Sequence, residues 1–194
     1  SLATAPGKAC YIPLGHGGTD MFAEKPEQIA IDVALARLGD LFADDAVLKV
    51  GHNLKYDIGV LAQHGIAIAP YDDTLVMSFA LDAGKHQHGL DELAKLHLDH
   101  ACLSFKDVCG TGKSQISFAE VQLDRATEYA AEDADVALRL WKLLKLRLPL
   151  EGGTRVYEMV DRPLAAIVEG MERAGIMVDR DYLAKLSGEF AAAM

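Results

Sequence analysis

The stretch Ala46-Val47-Leu48-Lys49-Val50-Gly51-His52-Asn53-Leu54-Lys55-Tyr56-Asp57 (46–57) decides the fold class. Its first five residues form a run with branched aliphatics, which reads as a buried strand. Gly51 and His52 turn the chain, and Asn53 stands where a helix N-cap is expected. One turn later Asp57 falls on the same helical face, near the carboxyl end of the strand, where α/β folds place ligands. A carboxylate in that position is a candidate metal ligand. A cap followed by a solvated acid is the other reading of the motif.

Outward from this strand and helix, the pattern alternates. On the amino side, Lys8 to Leu14 predict a short strand and Gly15-His16-Gly17-Gly18 a loop. Ile31, Leu35, Leu38 and Phe42 recur at three- and four-residue steps, predicting a helix over 27–42 that opens after Pro26 and ends at Asp44-Asp45. On the carboxyl side, Ile66 to Ala69 predict a short strand, and Asp72 or Asp73 caps a helix reaching Leu81. A further helix covers 90–98, and a polar, glycine-containing stretch runs from Leu103 to Ile116. Ser117-Phe118-Ala119-Glu120 has the spacing of a capping box, after which a long helix is expected from about Arg125 to Leu148. Pro149 and Gly152-Gly153 are expected to break it and to mark a domain boundary. A helix to Arg173, a stop at Gly175, a strand at Ile176-Met177-Val178 and an Asp179-capped helix follow. Strands alternating with helices imply an α/β layered domain over roughly the first 150 residues, and the remainder is too short to be a domain by itself.

The 194 residues are 51% hydrophobic and 25% charged, a balance that excludes a disordered tail or a fibre. No run approaches the roughly 18 apolar residues of a membrane span, and the start lacks a signal-peptide layout, so a cytoplasmic protein is expected. Cys10, Cys102 and Cys109 form no Cys-x-x-Cys pair and suggest neither a disulfide framework nor a zinc ribbon. The net charge of −10 argues against gripping long nucleic acid through a basic face. It leaves open an enzyme that holds only a chain end, through cations bound to clustered carboxylates.

A second constellation, Tyr129-Ala130-Ala131-Glu132-Asp133-Ala134-Asp135, lies in the long helix. Tyr129 and Asp133 are four residues apart and project from one face, so a metal-ligating carboxylate stands beside a phenol able to orient an attacking water. An acidic helix start is the alternative. Gly110-Thr111-Gly112-Lys113-Ser114 fails the phosphate-loop spacing, because Asp107 stands where the first glycine belongs. His97-x-x-His100 with Cys102 lacks a fourth zinc ligand at suitable spacing, and His86 and His88 read as turn residues.

Taken together, GHNLKYDIGVL (51–61) and YAAEDADV (129–136) resemble the second and third exonuclease motifs of the proofreading domain of bacterial DNA polymerase I. Asp73-Thr74 and HGLDELA (88–94) stand where that family has similar residues, and MERAGIMVDRDYLAKL (171–186) resembles the segment that opens its polymerase domain. The resemblance implies a ribonuclease-H-like, DnaQ-like exonuclease fold with a mixed sheet flanked by helices and a C-terminal helical extension. It implies an exonuclease domain over 1–150 and the start of a polymerase domain over 151–194. The implied activity is two-metal hydrolysis at the 3′ end of DNA, single-stranded or frayed, with Mg²⁺ as cofactor and Mn²⁺ able to substitute.

By the same resemblance Asp57 and Asp133 are metal ligands and Tyr129 orients the nucleophilic water. Asn53 and Tyr56 support the site or contact the terminal nucleotide, and Phe105 stacks beside a terminal base. The family's Asp-x-Glu motif is expected on a strand ahead of Ser1, outside this sequence, so activity is expected to be impaired in these residues alone. A ribonuclease-D-like RNA exonuclease and a non-catalytic exonuclease-like module are the alternatives.

Overall fold

Val50 pairs with Asp72 in a parallel ladder that joins β3 (Lys49–Gly51) to β4 (Tyr71–Asp73). The crossover between them is α2 (Leu54–Ala62), the right length of connection for a parallel pair. This computed structural model describes residues 1–17 and 26–193, so the Gly18 end of the predicted 15–18 loop lies outside the described residues. A second ladder is antiparallel: β1 (Leu2–Ala5) turns back on β2 (Lys8–Cys10), with Leu2 opposite Cys10.

The fold is α/β and mostly helical, but the expected single mixed sheet is corrected to two separate two-stranded sheets among the described residues. Strands of three or four residues make few ladder bonds, and α6 (Leu123–Leu150) unites them by packing across β1, β2 and β3. The strand expected over 46–50 shortens to Lys49–Gly51, leaving Ala46, Val47 and Leu48 exposed, and the strand expected at Ile66–Ala69 is absent. Ile68 is buried, but the partner edge of β3 is taken three residues later by Tyr71–Asp73. Lys49, buried beside this ladder, donates its ammonium to the carbonyls of Asp44 and Ala69.

The helices follow the sequence more closely. They are α1 (Ile31–Ala43), α3 (Thr74–Asp82), α4 (Leu90–Leu98), α5 (Phe105–Cys109), α7 (Thr154–Val156), α8 (Arg162–Ala174) and α9 (Arg180–Ala193). The short α5 falls inside the polar stretch read as irregular, started by a Ser104/Asp107 capping box. The long helix α6 passes through Pro149, which occupies its last turn, where the ring removes a single i−4 bond. Ile176–Val178 forms no strand; Met177 is 100% exposed.

The main core gathers Met77 of α3, Leu93 and Ala94 of α4, and Val136, Leu140, Leu144 and Leu148 of α6. Tyr157, beyond the Gly152-Gly153 pair, is buried in the same cluster. A five-residue π-helical turn (Tyr157–Asp161) leads into α8, which lies against α2, tied by a Lys55–Glu172 ion pair. A smaller cluster of Val108, Cys109, Val121 and Ala126 packs under Tyr11, Phe118 and Tyr129. No described helix is long and apolar enough to cross a membrane.

Candidate functional site

The turn after β3 is built for close approach. A Cβ on Gly51 would stand 2.6 Å from the Leu54 side chain, so only glycine fits. Asn53 then takes φ 60°, a left-handed conformation that asparagine tolerates better than most residues. It occupies the N-cap position of α2 but makes no side-chain cap bond. The cap comes from another strand: the Asp73 carboxylate accepts the N–H groups of Asn53 at 3.0 Å and Leu54 at 2.8 Å. The same carboxylate caps its own helix by accepting from Leu75 at 2.9 Å and Val76 at 3.4 Å.

Asp57 lies in the first turn of α2, and Tyr56 beside it is 72% exposed. The Asp57 side chain keeps solvent contact, yet the surrounding protein pushes its pKa up; the Asp73 charge adds to this, against bonds from its own backbone.

A second group of residues forms on α6. The Asp133 pKa is pushed up to about 6, first by burial and then by the Asp91 and Glu132 charges, while a hydrogen bond from Tyr129 opposes them. Burial, with the charge of Asp133, pushes Tyr129 up to about 12, so its phenol stays protonated. Phe105 is 43% exposed and meets Tyr129 edge-on at 6.3 Å between ring centres. Phe118 backs both rings, at 6.5 Å from Phe105 and 5.8 Å from Tyr129.

Glu132 holds this arrangement by accepting from the Leu103 N–H at 2.7 Å and from His100 at 2.8 Å, which pins the segment leading into Phe105 onto α6. Asp135 does the same for the β1–β2 turn by accepting the Gly7 N–H at 2.6 Å.

Tyr129, Asp133 and Phe105 thus come together, and Asn53, Tyr56 and Asp57 share the start of α2. The Asp73 charge acts on Asp57, whereas the Asp91 and Glu132 charges act on Asp133. Asp91 and Asp73 are the acids that motif reading leaves without a role at the site. Their signal is positional: each stands at a helix start, Asp91 in the first turn of α4 and Asp73 as the cap of α3.

The 3′-5′ exonuclease model of family A DNA polymerases matches residues 1–149. DNA polymerase I of Rhizobium leguminosarum is 48% identical over 188 residues, which is 95% of this chain and 18% of that protein. The chain therefore spans about a fifth of the length of the curated relatives it matches. Among solved structures, the POL domain of Pol1 from M. smegmatis in complex with DNA primer-template and dNTP superposes with a TM-score of 0.65 at 22% identity, over 84% of this chain and 25% of that one. Brucella melitensis NrnC with bound Mg²⁺ superposes with a TM-score of 0.56 at 25% identity, over 73% of this chain and 67% of that one.

Proposed function

The chain belongs to the 3′-5′ exonuclease family of family A DNA polymerases, and from that membership we propose that it is the proofreading region of a longer polymerase, hydrolysing the terminal phosphodiester at a DNA 3′ end. The observation that carries this reading is the Tyr129–Asp133 pair on one face of α6 with the exposed ring of Phe105 against it. The match over residues 1–149 supports an exonuclease unit over 1–150, with 151–194 opening the polymerase part. A cytoplasmic location goes with this reading.

The donor set suits hard divalent cations. Asp57 and Asp133 offer carboxylate oxygens, and no basic side chain is among the groups that shift either one. Asp57 and Asp133 are the residues that would hold such ions, Mg²⁺ or in its place Mn²⁺. When bound, the ions supply positive charge that activates water and stabilises the in-line transition state.

Tyr129, with its proton held by the raised pKa, donates to or orients the attacking water beside Asp133. The ring of Phe105 offers a face for the terminal base, and Tyr56 and Asn53 border the nucleotide from the start of α2. The net charge of −10 favours a short single-stranded or frayed end over a long duplex.

In the intact protein, Asp57→Ala and Asp133→Ala are each expected to lower nucleotide release from a DNA 3′ end by about 100-fold or more, with polymerisation retained. Unchanged release in either variant would overturn its assignment. Faster release from a matched RNA strand than from DNA would overturn the substrate.

A further inference from the structure

Asp82 ends α3, His86 follows it by one turn's spacing, and His97 lies in the last turn of α4. One ligand atom from each converges, all within 4.8 Å of one another. They line an open cleft of about 470 Å³ together with Leu96, Leu143 and Arg147.

The protonation pattern points to a cation. His86 Nδ1 lies 2.7 Å from the Gln87 carbonyl oxygen, and a carbonyl only accepts, so Nδ1 is the donor and the lone pair of the neutral ring is at Nε2. This is the tautomer that a metal-binding imidazole adopts when its other nitrogen donates to a backbone carbonyl. Among the described residues the Nε2 atoms of His86 and of His97 are both buried without a hydrogen-bond partner. A buried polar atom without a partner is destabilising, and two in one cleft call for a ligand.

His86 Nε2 also stands 3.7 Å from Asp82 Oδ2, too far for a hydrogen bond. Ligand atoms around a tetrahedral ion with bonds of about 2.0–2.1 Å are separated by roughly 3.4 Å, so a shift of a few tenths of an ångström closes this pair on a metal.

Asp82 is already oriented for the task. Arg147 donates to Oδ2 at 2.9 Å and to Oδ1 at 3.2 Å, and Lys85 donates to Oδ1 at 2.7 Å. One lone pair of Oδ2 is left toward His86. Glu151 binds the same guanidinium at 2.9 Å and offsets its charge. These outer partners fix the carboxylate as such groups do around metal sites.

We propose that Asp82, His86 and His97 form a transition-metal site, with Zn²⁺ as the matching ion and a fourth position open to the cleft. Two imidazoles and one carboxylate favour zinc over the hard cations that an oxygen-only site takes. Arg147 lies roughly 20 Å along α6 from Asp133, so this site is separate from the proposed nuclease centre and does not depend on that reading.

The test uses the intact protein, loaded with Zn²⁺ and dialysed against excess Mg²⁺ so that oxygen-only sites hold magnesium. One equivalent of zinc is expected to remain, to persist in Asp57→Ala, and to bind at least tenfold more weakly in His86→Ala and in His97→Ala. Native protein that retains no more zinc than these two variants would overturn the proposal. Cobalt(II) gives a reading that needs no variant: visible bands of tetrahedral intensity, displaced by zinc, support the site, and weak octahedral bands alone overturn it.

Discussion

Asp73 accepts the backbone N–H of Asn53 at 3.0 Å across the β3–β4 ladder, so the start of α2 is held by a residue twenty positions further along the chain. Asp73 is fully buried and serves four backbone donors in all, at the starts of two helices. Asp73→Ala is expected to destabilise the protein by about 2–4 kcal/mol, read as the midpoint of urea unfolding. The released α2 start carries Asp57, so 3′-end hydrolysis is expected to fall as well. Asp73→Asn keeps an accepting oxygen and is expected to lose less of both; equal losses in the two variants would count against the capping role.

Tyr157 carries the next link inward. Its hydroxyl accepts the Asp73 N–H at 3.0 Å and donates to Asp72 at 2.8 Å. Burial alone would raise the pKa of Asp72, but hydrogen bonds from Trp141, Tyr157 and Lys145 bring it below its ordinary value. A carboxylate depressed in the folded state contributes stability that is present above the unfolded pKa of 3.8 and lost as pH falls through the folded value. Tyr157→Phe is expected to cost about 1–3 kcal/mol at pH 7. The gap between native and variant is expected to narrow below pH 4, which unfolding curves at pH 7 and pH 3 measure.

His52 gives a pH dependence of its own. Its Nδ1 donates to Thr74 Oγ1 at 2.8 Å, because that hydroxyl gives its proton to the Gly51 carbonyl at 3.1 Å. Among the described residues Nε2 is buried without a partner, and burial lowers the pKa from 6.5 to about 4. Between these values the unfolded chain binds the proton that the folded chain refuses, so stability falls as pH drops from 6.5 toward 4. The loss is on the order of 2–3 kcal/mol. His52→Gln is expected to flatten that part of the stability–pH curve; an unchanged slope would place the effect elsewhere.

The sequence makes local order legible and leaves long-range partners hidden. The cap at Asp73 and the α4 boundaries follow from residues within a turn of one another, whereas of the run 46–50 only Lys49 and Val50 join the strand, and Val47 and Leu48 stay exposed. The true strand Tyr71–Asp73 does not follow from local sequence, because aspartates have low strand propensity and Asp72 is satisfied by Trp141 and Tyr157, about 70 to 85 residues away. The same holds for the histidines. By spacing His97 belongs with His100, yet His100 bonds Glu132 while His97 faces Asp82 and His86. Motif residues fare in between: the four-residue step puts Tyr129 beside Asp133, whereas the approach of Phe105 to Tyr129 depends on Glu132 gripping the Leu103 N–H.

That grip separates two roles that a single activity measurement would merge. Phe105 is half-exposed and contributes little to the core, so Phe105→Ala is expected to leave the urea midpoint nearly unchanged. Loss of one base–aromatic stack is worth about 1–3 kcal/mol, so KM for a single-stranded DNA 3′ end is expected to rise about tenfold or more with kcat nearly constant. Tyr129→Phe retains the ring against Phe118 and Phe105 and removes only the hydroxyl facing Asp133. Its expected signature is the reverse: KM nearly constant and kcat lower by about 100-fold, as when a reacting group loses its alignment. Steady-state kinetics on one labelled oligonucleotide distinguish the two, and a shared KM effect in both variants would show that Tyr129 binds the terminal nucleotide and does not align the water.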